Sequence, residues 1–220
     1  MNIAVVMCTY RRPEKLHKTL TQLAAQRYKG FDLHIVNNNP EIADIVDAEA
    51  HNSVLHVDVQ HNDENHGSYA RIEKMVELRD RYDWFMTLDD DMVFGPGLLQ
   101  GWVDQITPDV VYSFGGWRFI GNYWQRERVP VGEVAPYLWG GNMFLPSDAM
   151  RDDGVLDLHQ DYWMCEDLWL SYYLDHVLGY YLIVGCADIR IEEDAKDTYY
   201  GIRNRKVILL DELRARGWDA

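Results

Sequence analysis

The chain has 220 residues, 47% of them hydrophobic and 26% charged, which is enough apolar material for a full core and an ordinary charge density for a globular protein. Its formal net charge of −15 argues against a nucleic-acid partner, which would need a basic patch, and against docking on an anionic membrane. No apolar run reaches the length of a membrane span, and in the opening MNIAVVMCTYRR the charges follow the apolar stretch, the reverse of a secretion signal.

Residues 2–9 are short, continuous and β-branched and read as a fully buried strand. A helix follows in RRPEKLHKTLTQLAAQ, with Pro13 in its first turn and Leu16, Leu20, Leu23 and Ala24 on one face. FDLHIVNNNP reads as a second strand running into an Asn-Pro turn, EIADIVDAEA as a short helical segment, and SVLHVDVQ as a third strand. Residues 68–81 read as a helix, and DWFMTL as a fourth strand that ends at Asp89, Asp90 and Asp91. Beyond residue 115 the chain is rich in aromatics, Gly and Pro, and is expected to form a mixed or antiparallel extension. A helix is expected from Glu166 to Gly179, a strand over YYLIVGCADIRI, a surface loop over EEDAKDTYYGIRNR, and a terminal helix over RNRKVILLDELRARGW. Cys8, Cys165 and Cys186 lack paired spacing and read as reduced thiols, two of them on apolar strands. The expected localisation is cytoplasmic.

Regular alternation of strand and helix predicts an α/β domain with a largely parallel sheet. Ligands of such sheets bind outside the carboxyl ends of the strands. Those ends carry Thr9, Tyr10, Arg11 and Arg12, then Asn37, Asn38 and Asn39, then the three aspartates. The turn before residue 68 adds Asn65, Gly67 and Arg71. In an extended segment, residues i and i+2 share a side, so Asp89 and Asp91 would face one ligand and Asp90 would face away. Two carboxylates suit Mg²⁺ or Mn²⁺, which is often held by one or two carboxylates plus substrate phosphates. A second acidic pair, Glu166 and Asp167, opens the later helix, where the dipole favours an ionised carboxylate able to take a proton from a hydroxyl.

These segments together resemble the GT-A fold glycosyltransferases, family 2 above all. IAVVMCTYRRPEKLHKTLTQL is similar to that family's opening strand and helix, NHGSYAR to its N-x-G-x-x-x-A-R segment, and TLDDDMVFGPGLL to its D-x-D segment. WGGNMFLPSDAM is similar to its Gly-rich acceptor segment, and CEDLWLSYYL to the E-D motif that supplies the base. The resemblance implies a Rossmann-like three-layer α/β/α sandwich with a smaller acceptor-side extension. It implies a single domain over 1–220, with a nucleotide half (1–115) and an acceptor half (116–220), either alone or as one domain of a longer protein. It further implies a nucleotide-sugar donor, UDP before other nucleotides, a hydroxyl acceptor, Mn²⁺ or Mg²⁺, and inversion. Thr9 and Arg12 would then lie by the base and phosphates, with Tyr10, Asn65 and Gly67 on the same edge. Asn38, with Asn37 beside it, would stand where the family commonly has an acidic uracil contact. Arg71 would reach the base or diphosphate. Asp89 would hold the ribose with Asp90 beside it, and Asp91 the metal. Asp167 would be the general base, with Glu166 as second choice, and Trp139, Gly140 and Gly141 would border the acceptor. The family's late metal-binding His has no counterpart, and Glu192, Glu193, Asp194 or water would take its place as an oxygen ligand.

Rival readings are a retaining transferase, a nucleotidyltransferase, a phosphatase and a non-catalytic sugar-binding domain. The nucleotidyltransferase would want a Gly-rich loop after the first strand, which CTYRRPEK lacks. The phosphatase would carry its D-x-D after the first strand, not the fourth.

Overall fold

The opening apolar run forms β1 (Ile3–Thr9), buried along nearly its whole length. Side chains alternate across a strand, and here Ile3, Val5 and Met7 enter one core cluster while Ala4 and Val6 enter the other. β2 (Phe31–Asn37) pairs with β1 in parallel, and β3 (Val57–His61) pairs in parallel with β2. β4 (Trp84–Asp89) runs parallel to β1 on its other side. The chain then turns at Asp90–Asp91 into the short β5 (Met92–Phe94). β6 (Val110–Ser113) returns to the main sheet, whereas β7 (Gly116–Phe119), β8 (Arg126–Arg128) and β9 (Tyr137–Leu138) make a separate three-stranded antiparallel sheet. β10 (Met143–Pro146) lies antiparallel to both β4 and β6. β11 (Tyr181–Val184) runs parallel to β6, and β12 (Ile189–Ile191) pairs antiparallel with β5. The main sheet has the order β11-β6-β10-β4-β1-β2-β3, so strands from both halves of the chain share it. The computed structural model describes residues 1–191 and 202–220.

Helices cover both faces. α1 (Pro13–Ala24) has Pro at its start and Glu14 in its first turn, both favourable there, and it buries Leu16, Leu20 and Leu23. Each such side chain contributes roughly 1.5–3 kcal/mol by leaving water. α2 (Ala43–Asn52) adds Val46 to that same core. On the opposite face, α3 (Ala70–Leu78) buries Ile72, Met75 and Leu78. α4 (Leu98–Val103) joins the first face through Leu98, Leu99 and Trp102. α5 (Glu166–Tyr172) and α6 (Arg203–Ala215) join the second, α6 through Leu209, Leu210 and Leu213. The result is the expected α/β/α sandwich with a largely parallel central sheet.

The structure differs from expectation in several places. The helix from Glu166 is α-helical only to Tyr172; residues 173–177 form a wider π turn, with Leu178 N–H bonded to Tyr173 C=O at 3.0 Å. That extra residue accompanies a bond from the Trp218 indole to Asp175 at 3.0 Å, and Gly179, at φ +76°, supplies the left-handed stop. The strand expected over residues 180–191 is two strands. A side chain at Gly185 would strike the Trp102 ring, and Gln105 holds both the N–H and the C=O of Cys186, which turns the chain toward β5. Cys186 is therefore exposed in a loop and not on a strand. The third strand starts at Val57, not Ser53, and Val54 is solvent-facing. Residues 192–201, which include Glu192, Glu193 and Asp194 and most of the expected surface loop, lie outside the described residues. Among the described residues no helix is long and apolar enough to cross a membrane.

A buried polar cluster crosses β2 and predicts a pH dependence. His34 is 1% exposed, its Nδ1 3.0 Å from Asp58 and its Nε2 2.8 Å from the Tyr82 hydroxyl. Burial pushes the His34 imidazole down from its usual range. The unfolded chain therefore binds a proton near pH 6.5 that the folded chain still refuses, and stability is lost as the pH falls below that value. Urea unfolding at pH 7.5 and 5.5 should show this loss, and His34→Gln should flatten it. An equal loss in the variant would assign the effect elsewhere.

Candidate active site

The strand register brings the polar ends together. Thr9 stands opposite Asn37, Asn37 opposite His61, and Cys8 opposite Asp89. Three groups of side chains occupy this edge.

The first is the aspartate turn. Asp90 is buried, and its carboxylate is 2.6 Å from the Arg12 guanidinium and 3.4 Å from the Thr9 hydroxyl. Asp91 takes the other Arg12 nitrogen at 3.1 Å. Asp90 and Asp91 thus share Arg12, and it is Asp89 that turns elsewhere, to Arg71. Asp90 does not face away as strand alternation predicts, because β4 stops at Asp89 and the chain turns at Asp90–Asp91, while Asp89 still lies near enough to Asp91 to act on its carboxyl. Burial pushes the Asp90 carboxyl up to about 7, against the pull of Arg12. Burial and Asp89 likewise push Asp91 up. Asp91 Oδ1 is buried without a hydrogen-bond partner. A buried, unsatisfied carboxylate oxygen is costly unless something cationic completes it. Carboxylate oxygens suit a hard cation such as Mn²⁺ or Mg²⁺. No cluster of three or more potential metal ligands occurs among the described residues. The Asp91 oxygen fits a hard cation whose other ligands come from outside this cluster.

The second group is a buried ion-pair chain. Arg71, 3% exposed, places one nitrogen on Asp89 and the other on Glu166, the latter at 2.5 Å. Burial works against the guanidinium charge, and Asp89 and Glu166 override it. Burial pushes the Glu166 carboxyl up, opposed by Arg71 and by the Ser68 hydroxyl that donates to it. Cys8 lies in the same field, its thiol pushed by burial up to about 12. Asp167, next along α5, faces a different set. Lys206 from α6 sits 2.9 Å and 2.8 Å from its two oxygens, the Tyr137 hydroxyl donates to Oδ2, and the Leu168 N–H donates to Oδ1 at 2.8 Å.

The third group is the turn at residues 139–143. Thr87 on β4 donates to Gly140 C=O and accepts from Met143 N–H, both at 2.7 Å, and Ser113 donates to Trp139 C=O at 2.9 Å. A Cβ at Gly140 would lie 2.7 Å from Asp167 Cβ and 3.1 Å from Glu166. One at Gly141 would strike Asp89 and lie 2.7 Å from the Trp139 ring. Only glycines let this backbone pass between Asp89 and the acidic pair.

On the far side, Asn37 spends its amide on Asn39 C=O (2.8 Å) and His61 (3.0 Å). Asn38 donates to Gly67 C=O at 2.7 Å and accepts from Asn62 at 3.0 Å, and Asn65 caps the Gly67 N–H at 2.8 Å. Gly67 has φ +60°, which favours glycine. Tyr10 lies half-buried with Arg11 4.7 Å above its ring. The asparagines shape this corner as much as they line it.

The family model for glycosyl transferase family 2 matches residues 4–168, well over half of the chain. The chain belongs to glycosyl transferase family 2. Among solved structures, this family 2 chain is similar to the mannosyltransferase PcManGT of Pyrobaculum calidifontis in complex with GDP-Man and Mn²⁺, at TM-score 0.69 and 15% identity over 98% of this chain and 63% of that one. It is also similar to S. aureus TarS in complex with UDP, at TM-score 0.62 and 15% identity over 92% of this chain and 64% of that one. The complex of TarS with UDP-GlcNAc gives TM-score 0.60 at 15% identity, over 90% of this chain and 62% of that one. This family 2 chain thus spans less than two thirds of the length of these structures, and at such identities the likeness is one of fold. No curated protein sequence matches the chain.

Lys206, Tyr137 and Ser68 were not among the candidates from sequence. Lys206 had a legible signal: with Leu209, Leu210 and Leu213 it falls on one stripe of the terminal helix, a lysine where an apolar residue belongs. Tyr137 and Ser68 carry no such mark.

Proposed function

We propose that the chain transfers a sugar from a nucleoside-diphosphate sugar, UDP-linked before other nucleotides, to a hydroxyl acceptor with inversion, and that Asp167 is the general base. The observation that carries this reading is the Arg71 clamp. One guanidinium holds Asp89, at the end of the D-x-D strand, and Glu166, beside the base. Donor side and acceptor side therefore lie one side chain apart, with Gly140 and Gly141 threaded between them. Thr9, Arg12, Asn37, Asn38 and Arg71 would bind the nucleotide. Asp89 and Asp91 would hold Mn²⁺ or Mg²⁺, which when bound neutralises charge on the diphosphate leaving group. Asp167, packed against the Gly140 turn, would take the acceptor proton, and Glu166, held by Arg71 and Ser68, is the second choice. The two halves, 1–115 and 116–220, act as one catalytic domain because the shared sheet joins them.

Isothermal titration of UDP, with and without Mn²⁺, tests the donor site. Binding should require the metal and vanish in Asp91→Ala. Silence with UDP, GDP and dTDP alike, metal present, would overturn the reading. With a donor in hand, the anomeric proton of the product reports inversion or retention directly.

A further inference from the structure

Asp167 accepts four hydrogen bonds among the described residues, two on each oxygen. A carboxylate has about four lone-pair sites, so this one is full. An acceptor hydroxyl must displace a donor before Asp167 can receive its proton. The Leu168 N–H is backbone at the start of α5 and cannot leave without unwinding the helix. The Tyr137 hydroxyl is fixed by β9 and by its bond to the Tyr123 hydroxyl at 3.1 Å, and Arg126 covers both rings. Lys206 differs. It spans both oxygens, and its flexible four-carbon stem carries rotatable donors.

The burial of Lys206 also needs a reason. Its side chain is 6% exposed on the apolar stripe of α6, and burial opposes its charge until Asp167 overrides it. Replacing a buried ion pair with apolar residues is often neutral or stabilising, so stability alone does not account for a lysine here. Its ammonium also lies 5.3 Å from the Tyr123 ring, so Tyr123, Tyr137, Lys206 and Asp167 form one connected cluster. Lys206 lies beyond the residues that the family model matches.

We propose that Lys206 is a positioning residue of the transfer reaction, gripping Asp167 by both oxygens at rest and ceding one of them to the acceptor hydroxyl while keeping the other. The inference rests on Asp167 being the base. In the step, the acceptor O–H bond breaks and its proton passes to the freed Asp167 oxygen. The acceptor oxygen bonds to the anomeric carbon, and the bond from that carbon to the diphosphate breaks with its electron pair leaving on the nucleoside diphosphate. Lys206, still on the second oxygen, fixes the carboxylate plane throughout. Tyr137 supports the same orientation from the other side.

The test is donor hydrolysis, with water as the acceptor, on a panel of UDP-, GDP- and dTDP-sugars with Mn²⁺. Lys206→Ala should lower kcat about 100-fold, the size of effect that small misplacement of a reacting group produces, and leave the donor KM unchanged. Ethylamine added to Lys206→Ala should restore part of kcat in a saturable way. Should that variant fail to fold, Tyr137→Phe, which removes one oxygen, should lower kcat about 10-fold at constant donor KM. An active wild type whose kcat survives either variant, or falls only together with a raised donor KM, overturns the inference and leaves the transferase reading standing. A wild type silent on the whole panel removes the transferase reading and the inference with it.

Discussion

Asp167→Asn should remove sugar transfer while leaving nucleotide affinity where it was. A general base contributes about 10²–10⁴ in rate, so kcat should fall by that factor, on the order of 3–5 kcal/mol of barrier. The amide keeps the shape of the carboxylate and loses its ability to accept a proton. It also loses the charge that faces Lys206 at 2.8 Å. Breaking a buried pair by removing one partner costs about 3–5 kcal/mol, because the other charge stays buried. A fall in activity could then report unfolding, and the double variant Asp167→Asn/Lys206→Met separates the two. Removing both charges should recover much of the stability, measured by urea unfolding, and none of the turnover. If Asp167→Asn turns over within threefold of wild type and Glu166→Gln does not, the base is Glu166.

Arg71→Met should lose stability on the same scale. The side chain is buried and stands between Asp89 and Glu166. Its removal leaves two carboxylates without their shared cation, a loss of about 3–5 kcal/mol. Burial already favours the protonated form of Glu166. Without Arg71 that form is favoured further, so the penalty is present above the raised pKa and is relieved as the pH falls through it. Urea unfolding should show a larger deficit at pH 8 than at pH 5.5, and UDP affinity should drop because Asp89 loses its anchor. A variant as stable as wild type at pH 8 would mean that the ion-pair chain contributes nothing net.

Much of this protein was legible before any coordinates. The strands from Ile3, Phe31 and Trp84 announce themselves by apolar, β-branched runs, and α1 by the spacing of Leu16, Leu20 and Leu23. Alternation of strand and helix then sets parallel pairing, and parallel pairing sends Thr9, Asn37 and Asp89 to one edge. Periodicity is a local property, so it survives in the sequence. The partner of each charge does not. Asp90 should have faced away from the site by alternation, yet the turn after Asp89 delivers it to Arg12, 78 positions earlier in the chain. Glu166 and Asp167 are neighbours in sequence, and no local rule separates them. The layers do: α3 brings Arg71 to one carboxylate, and α6 brings Lys206 to the other. Which cation meets which carboxylate depends on how helices seat against a sheet, and that is decided by packing of apolar faces that carry no record of the charges beside them.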